Sequence, residues 1–118
     1  MMKTNSKFWD MLDQIIQNGT TIDRPKNTSH PKWNNMIYPV NYGHINNTAS
    51  GDGAEIDIWI GSEPNPKVVG VINIVDIVKC EAEIKVLYGC TEDEMEAIYK
   101  FHNQTNGMGG ILMKRNMP

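Results

Sequence analysis

Cysteine is scarce in this 118-residue chain, which holds only Cys80 and Cys90. The two do not form a C-x-x-C pair, so the ligand spacing of a zinc ribbon is missing. Two isolated cysteines without an apolar N-terminal leader indicate free thiols in a reducing compartment. We therefore expect a cytoplasmic protein with free thiols and no zinc ribbon.

Long apolar runs, an excess of basic residues and glycine-rich phosphate loops are also missing. No run approaches the roughly 20 apolar residues that cross a bilayer, so no membrane segment is expected. The 11 Lys and Arg residues against 14 Asp and Glu give a net charge of -3, which argues against a nucleic-acid partner. Neither a P-loop nor a persuasive Ser-His-Asp or Cys-His spacing is present. By length, residues 1–118 form a single domain.

Hydrophobic periodicity predicts two helices and several short strands. Apolar residues at helical spacing over 8–16 predict an amphipathic N-terminal helix that packs on the domain or on a second subunit. A capping box opens a second helix over 91–104. Strands are predicted at 20–24, 36–45, 55–60, 68–75, 81–88 and 111–114.

The strand pattern favours a mainly β (α+β) fold, a small closed barrel of about five strands with a C-terminal helix and the added N-terminal helix. Residues alternate between apolar and polar over 55–60 and again over 81–88. This alternation predicts that one face of each strand is packed and the other is solvated.

Four acids fall at junctions between loops and strands, in two pairs that are each five residues apart. Asp52 lies in a Gly-Asp-Gly turn and Asp57 interrupts the isoleucines of the next strand, whereas Asp76 and Glu81 bracket a later turn. If the two junctions meet at one end of a barrel, the carboxylates converge and need a cation. Oxygen ligands suit magnesium, manganese or calcium rather than zinc. The alternative is that these acids are solvated turn residues.

A basic and aromatic group precedes the acids. Arg24 ends the first strand, Lys32 lies in the polar loop of 26–35, and Tyr42 belongs to the following strand. A guanidinium binds phosphate oxygens with two parallel hydrogen bonds, and an ammonium offers a point charge. These side chains are candidates for phosphate binding, with solvated surface charges as the alternative.

Three motifs occur in a fixed order: D-R-P at 23–25, Y-P-x-N-Y-G at 38–43 and D-G-x-x-x-D at 52–57. With their spacing, they make the stretch 20–88 resemble the soluble inorganic pyrophosphatases. The resemblance implies a five-stranded OB-like barrel and hydrolysis of diphosphate to phosphate by a metal-activated water, with Mg²⁺ as cofactor and Mn²⁺ as the alternative.

The resemblance also implies roles for individual residues. The implied metal ligands are Asp52, Asp57, Asp76 and Glu81, and the implied phosphate-binding residues are Arg24 and Tyr42. We add Lys32 to the expected substrate-binding residues and expect Tyr42 and Asp57 to be catalytic. The expected partner is a small-molecule diphosphate or related phosphoanhydride. A homo-oligomer through the apolar N-terminal helix is a further expectation.

Among the departures from the family pattern, two bear directly on activity. Ala54 replaces an aspartate that helps to activate the water, and Glu83 replaces a phosphate-binding lysine. These departures leave two alternatives open: a catalytically impaired module that binds metal and phosphate, and a hydrolase of a nucleotide or another phosphoanhydride.

Overall fold

The computed structural model describes residues 6–116. Its two α-helices are α1 (Ser6–Ile15), which continues into a short 3₁₀ turn at Ile16–Asn18, and α2 (Glu92–Asn103). Six strands complete it: β1 (Thr20–Arg24), β2 (Asn41–Ile45), β3 (Asp57–Ile60), β4 (Val68–Asp76), β5 (Glu81–Tyr88) and β6 (Met108–Lys114). Neither helix combines the length and the apolar character that crossing a bilayer requires.

The strands form one sheet in the order β1-β2-β3-β5-β4-β6. The β3–β5 pair is parallel and the other neighbours are antiparallel. The described sheet has six strands, one for each predicted segment, whereas the predicted barrel has about five. The sheet ends at β1 and β6, so a closed barrel is not confirmed. The sixth strand is longer than the segment predicted at 111–114, because β6 pairs along β4 from Gly70 to Asp76.

Both faces of the sheet are covered. One face packs against α2 through a core of Met36, Tyr38, Val40, Trp59, Ile72, Ile74, Leu87, Cys90, Met95, Ile98 and Phe101. The opposite face packs against α1 through Trp9, Leu12, Ile45, Ile58, Val68, Val71 and Val86. The predicted docking of the N-terminal helix on its own domain is thus confirmed. The predicted solvated face of 55–60 is wrong, because α2 lies over it and Trp59 is fully buried.

The first two strands approach closely enough to bring the basic and aromatic motifs together. A side chain at Gly43 would collide with the backbone oxygen of Thr21, so glycine is required there. Strand β2 begins at Asn41, later than the predicted start at residue 36, since Pro39 offers no N–H to a ladder. The resulting register places Arg24 opposite Tyr42.

Both cysteines are free thiols, as expected. Cys80 is exposed in the β4–β5 turn and Cys90 is buried after β5. Burial raises the pKa of the Cys90 thiol to about 12, so this thiol remains protonated and unreactive.

Candidate active site

The Lys85 ammonium lies buried at the centre of a polar cluster on the α2 face. Strand β5 alternates its side chains, so Glu83 and Lys85 point to the same side of the sheet. The Lys85 Nζ donates to Tyr42 Oη at 2.6 Å, to Asp57 Oδ2 at 2.7 Å and to Glu83 Oε1 at 2.8 Å. An ammonium has three N–H donors, so all of them are engaged.

The environment keeps Lys85 charged and Tyr42 neutral. Burial alone would lower the pKa of Lys85, but Tyr42, Asp57 and Glu83 together raise that pKa above its ordinary 10.5. Burial raises the pKa of Tyr42 well above its ordinary 10.0, and Lys85 offsets this rise only in part. The cluster therefore joins a fixed cation to a protonated phenol.

Three carboxylates converge beside this cluster: Asp52, Glu81 and Glu83, called here the acidic trio. One oxygen of each lies within 4.8 Å of the others. Two oxygens bound to one Mg²⁺ at about 2.0–2.1 Å are at most about 4.2 Å apart, so small adjustments of these side chains would let all three share one ion. The donor set of the acidic trio therefore fits a hard divalent cation.

The loop before β3 presents Asp52 to the acidic trio. Its Oδ1 accepts hydrogen bonds from Ser50 Oγ at 2.6 Å and from the Ala54 backbone N–H at 3.0 Å. The Ser50 hydroxyl and the Ala54 amide lower the pKa of Asp52, which keeps it ionised. Ala54, which replaces the expected aspartate, thus supports Asp52 through its backbone.

The other two predicted metal ligands are not members of the acidic trio. Asp57, at the start of β3, is 31% exposed and bonds to Lys85. Asp76 ends β4 directly opposite Glu81, and its Oδ1 accepts the backbone N–H groups of residues 78 and 79 at 3.0 and 3.1 Å. Asp76 nevertheless lines the same cleft as Glu81. The structure thus brings Asp52 and Glu81 together in the acidic trio but does not place Asp57 or Asp76 in it.

The predicted phosphate-binding residues occupy different surroundings. Tyr42 lines the cleft, and Arg24 lies opposite it at the end of β1. Lys32 lies in the exposed loop and lines a separate shallow depression with residues 33–35. Lys79, which the sequence did not single out, extends from the β4–β5 turn into the lining of the cleft.

Two hollows flank the acidic trio. The first, called here the central cleft, has a volume of about 130 Å³ and is lined by Tyr42, Lys85 and aromatic side chains packed on α2. The second is larger, about 550 Å³, and is lined mainly by apolar residues of α1, β5 and the loop before β3. Glu81 and Glu83 border both hollows.

Sequence reasoning missed Lys85 and treated Glu83 only as a reversal of charge. The signal was available in the spacing, since Glu81, Glu83 and Lys85 occur at alternate positions of one strand and must share a face. That face was assigned to solvent. Only the position of α2 above the sheet reveals that Lys85 is buried and bonded to Tyr42, 43 positions earlier in the chain.

Comparison with known proteins points to one family. The family model described as Inorganic Pyrophosphatase matches residues 4–115. An inorganic pyrophosphatase of Pseudomonas aeruginosa is 27% identical over 88 residues, which cover 68% of this chain and 49% of the relative. The chain thus spans about half the length of the curated relative it matches.

Solved structures agree on the fold. An inorganic pyrophosphatase from Neisseria gonorrhoeae superposes with a TM-score of 0.62 at 16% identity, covering 82% of this chain and 83% of that one. The enzyme from Coxiella burnetii gives a TM-score of 0.60 at 16% identity, with coverages of 82% and 84%. Since the family model matches nearly the whole chain and these folds agree with it, the chain belongs to the inorganic pyrophosphatase family.

Proposed function

We propose that this protein hydrolyses diphosphate to phosphate, with Mg²⁺ as its cofactor and Mn²⁺ as the alternative. The observation that carries the proposal is the acidic trio beside the Lys85–Tyr42 cluster, in a chain of the inorganic pyrophosphatase family. A bound divalent ion would supply Lewis acidity and lower the pKa of water. The chain's own residues would hold the ion, orient the substrate and keep Tyr42 protonated.

The contacts indicate which acids would hold the divalent ion. Asp52 and Glu81, joined by Glu83, would hold the ion, because their oxygens converge. The predicted metal set has two further acids. Asp76 lines the central cleft, and Asp57 bonds to the Lys85 ammonium.

Substrate contacts belong to the basic side of the site. Of the predicted substrate-binding residues, Tyr42 lines the central cleft, and its neutral hydroxyl can donate to a phosphate oxygen. Arg24 ends β1 and Lys32 lies in the loop between β1 and β2, so both would approach the anion from the β1–β2 side. Lys79 adds a positive charge at the cleft itself.

The size of the central cleft favours a small substrate. Its volume of about 130 Å³ is well below the roughly 300–1,000 Å³ of pockets that enclose drug-sized ligands. A compact inorganic anion therefore suits this cleft better than a nucleotide. Inorganic diphosphate is the substrate that we favour.

The test is release of phosphate from diphosphate by purified protein with Mg²⁺, with Mn²⁺ and with a chelator. We expect turnover with either metal and none with the chelator. Asp57→Ala should lose turnover, because Lys85 and Tyr42 then lose the carboxylate that they share. A wild-type protein that releases no phosphate under any of these conditions would refute the proposal.

The main rival is a binding module whose catalytic group has been lost, and Ala54 supports it. Ala54→Asp returns a carboxylate to the loop beside Asp52, and a positioned acid or base contributes typically about 10²–10⁴-fold to a rate. We expect Ala54→Asp to raise kcat by at least about tenfold, whereas Asn65→Asp, an exposed control in the loop after β3, should not raise it.

Combining Ala54→Asp with Glu83→Lys tests the other departure. A further gain in turnover means that the wild-type site is an impaired version of the family site. No gain from Ala54→Asp means that the site performs a different chemistry, and a loss on adding Glu83→Lys means that Glu83 serves as a metal ligand of the acidic trio.

A second candidate function is hydrolysis of a larger phosphoanhydride. The apolar hollow of about 550 Å³ on the far side of Glu81 and Glu83 favours it, because that space could receive the organic part of a diphosphate ester. A panel of nucleoside diphosphates and triphosphates compared with diphosphate separates the two. A higher kcat/KM for an ester would replace diphosphate as the substrate.

The proposal includes a cytoplasmic setting and self-association. Free thiols at Cys80 and Cys90 suit a reducing compartment. Self-association is supported by Phe8 and Met11, which are 41% and 49% exposed on α1. The solution mass of Phe8→Glu/Met11→Glu against wild type tests it, since equal monomer masses for both would exclude an α1 interface.

A further inference from the structure

All the hydrogen-bond donors of Lys85 are used by protein groups, so Lys85 is not free to bind a phosphate. Its side chain is 7% exposed, and its three donors are engaged at 2.6–2.8 Å. To reach a substrate, the ammonium would have to give up Tyr42, Asp57 or Glu83 while it remained buried. We therefore expect Lys85 to act on the protein groups that it binds and not on the substrate.

Two of those groups are carboxylates that would otherwise stand unpaired at the site. The Asp57 and Glu83 oxygens lie 2.7 and 2.8 Å from Nζ. Carboxylates that share a site repel one another unless a cation lies between them. In this protein the cation between Asp57 and Glu83 is the Lys85 ammonium.

Asp57 is also separated from the convergent oxygens. Among the described residues, the group of carboxylates with mutually close oxygens contains Asp52, Glu81 and Glu83 but not Asp57. Glu83 links the two arrangements, since its Oε1 accepts from Lys85 while the residue also belongs to the acidic trio.

We propose that Lys85 is a resident cation that takes the place of a divalent ion at Asp57, so that Asp57 positions the Lys85–Tyr42 pair and does not ligate metal. The inference rests on the proposed metal-dependent function, and it replaces the sequence-based assignment of Asp57 to the metal set. It follows that this protein holds fewer divalent ions than its full set of site carboxylates would suggest.

The test counts Mn²⁺ ions bound by the full chain, by calorimetry and by electron paramagnetic resonance. Asp57→Asn keeps an acceptor for Lys85 and removes the charge. We expect it to bind as many Mn²⁺ ions as wild type, with less than the roughly 10–100-fold loss of affinity that even a supporting residue of a metal site can cause. Loss of an ion, or a loss of affinity in that range, would overturn the inference.

The complementary variant is Lys85→Met, which leaves Asp57 and Glu83 without their cation. We expect it to bind one Mn²⁺ ion more than wild type, and Lys85→Met/Asp57→Asn to lose that extra ion. The control is Lys67→Met, an exposed lysine just before β4, which should leave the count unchanged. A folded Lys85→Met protein that gains no ion would contradict the inference; if it does not fold, the Asp57→Asn count decides.

Turnover measured in parallel separates this inference from the proposed function. An inactive wild-type protein whose Asp57→Asn variant keeps the full Mn²⁺ count refutes the hydrolase and leaves Lys85 as the resident cation. An active wild-type protein whose Asp57→Asn variant loses an ion refutes the resident cation and leaves the hydrolase.

Discussion

At the scale of single residues, the contact between Trp59 and His102 illustrates how burial sets the ionisation of a core group. Trp59 Nε1 donates to His102 Nε2 at 3.1 Å, so the neutral ring carries its proton on Nδ1. That Nδ1 has no hydrogen-bond partner among the described residues. Burial, with a smaller effect of the Lys85 charge, lowers the pKa of His102 to about 3. The ring is therefore neutral throughout the physiological range.

This contact predicts a cost for removing the imidazole. His102→Phe keeps a ring of similar size but leaves the buried Trp59 N–H without an acceptor. We expect the free energy of unfolding at pH 7 to fall by about 1 kcal/mol, the net contribution of one hydrogen bond, because the unpaired Trp59 N–H replaces the unpaired His102 Nδ1–H. Urea denaturation of both proteins measures it, and an unchanged midpoint would show that the bond contributes nothing.

The same histidine predicts a pH dependence with a definite sign. In the unfolded chain His102 takes up a proton near its ordinary pKa of 6.5, but in the fold its pKa is about 3. Wild-type stability is therefore lost as pH falls below 6.5, because the unfolded state binds more protons. His102→Phe lacks this loss, so the stability difference between the two proteins should narrow from pH 7 to about pH 5. A constant difference would contradict the lowered pKa.

At the scale of elements, the start of α2 ties the helix to the sheet. Thr91 Oγ1 accepts from the Glu94 backbone N–H at 3.1 Å, and the Glu94 carboxylate accepts from the Thr91 N–H at 2.9 Å. The same carboxylate accepts from the Ser62 N–H at 3.1 Å, in the loop after β3. Because α2 covers Trp59 and borders the central cleft, this cap helps to hold the site in place.

Removing the cap should destabilise the protein by a modest amount. We expect Thr91→Ala to lower the free energy of unfolding by about 1 kcal/mol, the usual loss at such a position. Thr91→Ser, the matched control, keeps the hydroxyl and should retain most of the stability. Chemical denaturation distinguishes them, and equal losses in the two variants would show that the hydroxyl is not responsible.

Elements with strong local signals were predictable, and those set by partners were not. The capping box predicted α2, and the β-branched run with its following proline predicted β1 over its observed bounds. Strand β6 was predicted too short because Gly109 and Gly110 weaken its strand propensity, whereas pairing with β4 extends it to Met108. Its length depends on a neighbour that local sequence does not reveal.

At the scale of the whole molecule, the order of the strands and the position of α2 over β3 and β5 were not predicted. The parallel pairing of β3 with β5 passes over β4 in the chain, and nothing local to either strand specifies it. The predicted acids Asp52 and Glu81 do converge, because this pairing brings the loop before β3 beside the start of β5. The alternation of β5 places Lys85 beside Glu83, but its burial and its contacts could not be predicted, since the burial depends on α2 and the partners come from three strands.

The central claim is that the acidic trio binds the divalent ion for hydrolysis of diphosphate. The most direct measurement compares phosphate release with Mg²⁺ by wild type, Glu81→Gln and Glu96→Gln, the last an exposed control on α2. Since losing even a residue that supports a metal ligand costs about 10–100-fold, we predict at least that loss for Glu81→Gln and wild-type turnover for Glu96→Gln. Equal turnover by all three proteins would contradict the account.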